Sequence, residues 1–190
     1  MARALLLATF ILVTLPAHGA DFEKGLAAAS GDFATALAEW TPLAEGGEAR
    51  AQFNMAVLYD NGYGVERDLA EAAKWFHLAA EQGIPMAQYN LGFMYATGEG
   101  VEKDVKEAVQ WYWLAANQGL TVAQYNLATL HLSPRSLPQD YFQAYMWLGV
   151  AAALGHVEAA ERQGAVAIRM QLDDIAAAQA MARKWLEEHR

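Results

Sequence analysis

Three stretches decide the reading of this chain: "AQFNMAVLYDNGYGVERD" from Ala51 to Asp68, "AQYNLGFMYATGEGVEKD" from Ala87 to Asp104, and "AQYNLATLHLSPRSLPQD" from Ala123 to Asp140. They start 36 residues apart, and the agreement runs on beyond them without a gap. Residues 51–83 and 87–119 are identical at 17 of 33 positions, and 87–119 and 123–155 at 11 of 33. Unrelated segments would agree at only about two, so the chain is built from repeats.

Each unit reads as two helices. In the first, small and apolar residues recur at helical spacing: Ala51, Met55, Ala56 and Tyr59, then Ala87, Leu91, Gly92 and Tyr95. Gly62 and Gly98 mark the end of that helix, with Gly64 and Gly100 close behind in a tight loop. The second helix opens on an aspartate with capping-box spacing, as in Asp68 with Glu71, Asp104 with Glu107 and Asp140 with Gln143. Asp32 stands one period earlier. An alanine–tryptophan–alanine series follows at Ala72, Trp75, Ala79 and again at Ala108, Trp111, Ala115 and Ala144, Trp147, Ala151. A lone helical hairpin cannot bury such a face, whereas stacked hairpins bury it continuously. Trp40 breaks the pattern by falling one residue late. Downstream, Val157–Met170 and Asp173–Glu188 read as closing helices, the second with an apolar stripe of Ile175, Ala178, Ala182 and Trp185 suited to shielding the end of the stack.

The unit from Ala87 to Gly119 resembles the Sel-one-like repeat, a relative of the tetratricopeptide repeat, through its "LG", "GEGV", Asp104, Trp111 and final "AANQG". The resemblance covers about 21–188 and implies an all-α, right-handed α/α superhelix, a solenoid. The first unit departs from the pattern at Met55 and Ala56. The third departs more, with Ala128, His131, Pro134, Ser136 and Leu137, so its loop is expected to differ in shape while keeping its length. The expected organisation is a signal peptide at 1–20, a partial repeat at 21–47, repeats at 48–83 and 84–119, a degenerate repeat at 120–156, and capping helices at 157–190.

The first twenty residues carry Arg3, an apolar run from Ala4 to Leu15, and small residues around Ala17, Gly19 and Ala20. That order reads as a secretory signal, with cleavage after Gly19 or Ala20; the alternative is an uncleaved anchor. The chain has 190 residues, no cysteine and a formal charge of −9. An acidic surface argues against a phosphate backbone as partner. Missing cysteine excludes thiol catalysis, thiolate metal sites and a lipid-modified cysteine. The expected location is the bacterial periplasm or the exterior.

The resemblance places the first helix of each unit on a concave face, where residues outside the motif define the partner. Asn54, Asn90 and Asn126 repeat at the unit spacing, and carboxamides both donate to and accept from a peptide backbone. The plainer role for each is to tie a neighbouring helix. Phe93 and Met94 are candidate anchors, with Thr97 beyond them. The lone Trp113, where the other units have His77 and Gly149, is expected to be partly exposed. The histidines are scattered, with no His-Glu-x-x-His, and no Gly-x-Ser-x-Gly occurs. No cofactor or metal is expected.

The resemblance thus implies a non-catalytic scaffold or adaptor that binds a partner polypeptide, another exported protein or the periplasmic part of a membrane protein. Members of the family include regulators of envelope sensors and parts of secretion complexes. The alternative is a cell-wall ligand binder or a β-lactam-hydrolysing enzyme, as in a cysteine-rich branch of the family, whose cysteines this chain lacks. Self-association through an exposed end of the array is a third possibility.

Overall fold

The structure, a computed structural model, describes residues 25–26, 28–134 and 139–189. Residues 1–20, expected to be a signal peptide, lie outside them, as do Ser136 and Leu137 of the third loop. Among the described residues are α1 (Phe33–Glu45), α2 (Ala49–Asn61), α3 (Leu69–Glu81), α4 (Pro85–Thr97), α5 (Val105–Asn117), α6 (Thr121–Leu132), α7 (Tyr141–Ala153), α8 (Val157–Ala167) and α9 (Leu172–Glu188). None of them is long and apolar enough to cross a membrane.

The aspartates cap as their spacing suggests. Asp68 accepts from the backbone N–H groups of Ala70 and Glu71, Asp104 from those of Lys106 and Glu107, and Asp140 from that of Gln143. Asp32 caps α1 through Thr35, whose hydroxyl and N–H both donate to it and hold its carboxyl below the usual range. The reciprocal half of the capping box is replaced, and the reason is visible. The backbone N–H of Asp68 already donates to the carbonyl of Tyr59, that of Asp104 to Tyr95 and that of Asp140 to His131, at 3.1, 3.0 and 3.0 Å. Glu71 instead accepts from Lys74.

The described residues form two compact units, one reaching to Ala87 and including Glu99–Glu102, the other made of Gln88–Gly98 and the chain from Lys103 onward. In the first unit Trp40 sits at the centre with Ala36, Ala44, Ala51, Met55 and Leu58 around it. The late position of Trp40 now has a cause. It shares its register with Phe76 and Tyr112, and all three face inward, at most 2 % exposed. Trp75 and Trp111, one residue earlier in the period, are only half-buried, while Trp147 is buried. The loop after α2 rests on the start of α1: Tyr63 stacks on Phe33 with ring centres 4.6 Å apart. Gly64 sits at φ 73° with its α-carbon so near Phe33 that a β-carbon would lie 2.9 Å from the Phe33 backbone.

In the second unit α5 packs on α6, α6 on α7, and both α8 and α9 on α7. Gly92 of α4 lies under Tyr112, where a β-carbon would come within 2.8 Å of the ring. The third unit's first helix ends differently from the others. α2 leaves through Gly62 in the left-handed conformation, whereas α6 is one residue shorter and leaves through an extended Ser133. The following Pro134 excludes helical geometry at Ser133, which accounts for the change. On α9 the stripe falls as its spacing suggests: Ala178 and Ala182 are buried, and Trp185 meets Trp147 edge to face at 5.9 Å.

Candidate functional site

The residues singled out by their repetition occupy unlike environments. In the first unit Asn54 is fully enclosed on α2, and neither its Oδ1 nor its Nδ2 has a hydrogen-bond partner among the described residues. In the second unit Asn90 and Phe93 are half-buried on α4 and Met94 is buried, while Thr97 is exposed. The Thr97 hydroxyl donates to the carbonyl of Phe93 one turn back, at 2.9 Å. Asn126 of α6 is half-buried and its Nδ2 reaches the Tyr112 hydroxyl at 3.4 Å.

Asn126 thereby joins α6 to a pair of phenols. Tyr89 and Tyr112 lie with ring centres 5.7 Å apart. Burial raises the pKa of both hydroxyls, that of Tyr112 strongly; Tyr89 adds to the effect on Tyr112, and Asn126 draws each back in part. Both phenols therefore stay protonated at any physiological pH and keep a donor to offer. Burial also lowers the pKa of His131, against a smaller opposite pull from Asp140. One period beyond Asn126 the same register holds Arg162, which donates from Nη1 to the Tyr125 hydroxyl at 2.9 Å and lies 5.5 Å over that ring. Tyr125 in turn stacks on His156 at 4.4 Å.

A second set of amides repeats just as regularly in the sequence. Gln52, Gln88 and Gln124 stand beside the asparagines' register and are buried. Gln52 donates to the carbonyl of Ala44 and Gln124 to that of Ala116, each at 3.1 Å, a second donor to helix-end carbonyls that also accept from the backbone N–H of Gly47 and Gly119. Their oxygens are served from the far end of the next helix. Gln82 donates to Gln52 at 2.7 Å and to the Gly47 carbonyl at 3.0 Å, and Gln118 donates to Gln88 at 2.7 Å. The third unit breaks the series: Leu154 occupies the register of Gln82 and Gln118, and Oε1 of the fully buried Gln124 is left without a donor. Leu154 itself is 45 % exposed. Leu154→Gln is accordingly expected to bridge Gln124 and the Gly119 carbonyl and to raise stability by about 0.5–1.5 kcal/mol. Urea denaturation followed by circular dichroism checks it; a variant no more stable than the parent contradicts the assignment.

These tied helical pairs match a known repeat. The Sel1 repeat is found three times in succession, at residues 49–84, 85–120 and 121–156. The chain belongs to the Sel1 repeat family. Among solved structures it is similar to a Sel1 repeat protein from Oxalobacter formigenes, at 32 % identity and a TM-score of 0.66, over 71 % of this chain and 56 % of that one. It is also similar in fold to c5321, described as a protective antigen present in uropathogenic Escherichia coli strains and displaying an SLR fold, at 24 % identity and a TM-score of 0.62. That match takes in 89 % of this chain and 45 % of the other, so the chain spans about half the length of each. No curated protein matches it. The Sel1 fold is an all-α repeat solenoid, and Sel1 repeats generally mediate protein–protein interaction. Among the described residues no group of three or more His, Asp or Glu is placed to hold a metal ion.

Proposed function

We propose that this chain is a non-catalytic scaffold of the bacterial periplasm that holds a partner polypeptide against the side chains of α4 and α6. Asn90 and Phe93 make the central contact, Thr97 extends it, and Asn126 offers a carboxamide already oriented by Tyr112. The observation that carries this reading is on α4. Ala87, Gln88, Leu91 and Met94 are buried, whereas Asn90 and Phe93, on the remaining side of the same helix, keep part of their surface free. An aromatic ring beside a carboxamide supplies the two needs of peptide recognition, an apolar anchor and a backbone donor–acceptor. Met94 is buried on α4 and packs beneath that face, and Asn54 is enclosed on α2, so neither side chain is offered to a partner. A partner that is itself exported, or the periplasmic part of an envelope sensor or secretion complex, fits the signal-like start of the sequence.

Capture from a periplasmic extract tests the proposal. The unmodified chain is expected to retain a partner that Phe93→Ala and Asn90→Ala each lose, with helicity unchanged in all three. If both variants keep every captured protein, α4 is not the binding element.

A further inference from the structure

We propose that two copies of this chain pair through the outer face of α9, with the two α9 helices packed antiparallel about a two-fold axis. The closing helices leave apolar surface uncovered. The three most exposed large hydrophobic residues among the described residues, Ile168 (88 %), Leu172 (83 %) and Val157 (74 %), belong to α8, α9 or the turn between them, as does Met181 (46 %), while Trp113, Leu154, Leu78 and Leu114 stand exposed elsewhere. α9 spends one side on α7, through Ala178, Ala182 and Trp185. Its opposite side, with Leu172 and Met181 at the margins, faces outward.

The charges on that side say what covers it. At about 100° per residue, Asp173, Ala177, Ala180 and Lys184 follow one another along a single line of the helix, and the exposed Glu187 stands on the same side beyond Lys184. Asp173 has no ion-pair partner among the described residues, and Lys184 has only the exposed Glu188 at 3.8 Å. A second α9 laid antiparallel with the axis midway between Ala177 and Ala180 sets Asp173 of each copy against Lys184 of the other. The same axis brings Ala177 of one against Ala180 of the other, where small side chains permit close approach, and Met181 against Ala177. A parallel pair would oppose acid to acid and base to base. The line Asp173–Lys184 is complementary to an antiparallel copy of itself, in an isologous contact that closes at two. Seventeen residues of helix give a contact about 25 Å long, below the size of a standard stable interface. Pairing is therefore reversible and shows at micromolar rather than nanomolar concentration.

Sedimentation velocity of the chain over about two decades of concentration is expected to show the mass rising from one chain to two. Ala180→Glu puts a carboxylate at the centre of the face, at a position exposed in the protomer. It should raise the dissociation constant at least about tenfold with an unchanged circular dichroism spectrum. Lys184→Asp should weaken pairing likewise, and the charge-exchanged Asp173→Lys/Lys184→Asp should recover it. A chain that remains monomeric throughout overturns the pairing. Dimers indifferent to Ala180→Glu, or a charge exchange that recovers nothing, overturn the antiparallel α9 contact.

Discussion

Trp40→Ala is expected to cost about 3–5 kcal/mol, the range for truncating a large buried aromatic, while Trp75→Ala costs about 1–2 kcal/mol for the smaller area it withdraws from water. The difference follows from burial. Trp40 is fully enclosed by Ala36, Ala44, Met55 and Leu58, whereas Trp75 packs against the edge of that cluster and keeps part of its surface in solvent. Its indole N–H has no hydrogen-bond partner among the described residues, so removing it forfeits no bond. Urea titrations of the two variants, read by circular dichroism because tryptophan emission changes with each substitution, give the comparison. Equal losses would mean that the motif tryptophan carries the core as heavily as the register suggests for Trp40.

Gly92→Val should destabilise the second unit by about 3 kcal/mol through overpacking against Tyr112. Gly92→Ala should cost only about 1 kcal/mol, because a gain in helix propensity offsets part of the clash. The repeat itself shows how the conflict is avoided. Where the second unit has Gly92 and Tyr112, the third has Ala128 and Leu148 in the same two registers, both fully buried. The double variant Gly92→Ala/Tyr112→Leu is therefore expected to be more stable than the sum of its single changes implies, with a coupling of about 1 kcal/mol. Strict additivity in that cycle would show that residue 92 does not answer to the ring.

Much of the fold can be read from the letters because its determinants are local. Asp68, Asp104 and Asp140 cap because of what lies two or three residues on, and Pro134 reshapes the exit of α6 through its immediate neighbour. The tryptophans misled for a geometrical reason. Repetition marks Trp75, Trp111 and Trp147 as alike, yet what decides burial is the angle around the helix. One residue is about 100° of turn, enough to put Phe76 and Tyr112 inside and leave Trp75 and Trp111 at the margin, whereas Trp147 in the same register is buried and has Trp185 of α9 against it. The binding face suffers from the same blindness. Asn54, Asn90 and Asn126 share a letter and a spacing, but one is enclosed, one half-free and one bonded to a phenol. The glutamines Gln52, Gln88 and Gln124 repeat just as faithfully and serve to tie helix ends. Only the tertiary neighbours of each amide separate a strut from a contact.

The bond from the Asp68, Asp104 and Asp140 amides back to residues 59, 95 and 131 persists even where the loop has lost its glycines. Spelling in that segment is free, whereas its count is not. A single inserted or deleted residue would either break this tether or rotate the whole following helix by more than a quarter turn, carrying its alanines away from their neighbours. Descendants of such a gene can rewrite these loops and can gain or shed whole units of thirty-six residues, but they cannot lengthen one loop by one residue and keep the helix after it in place.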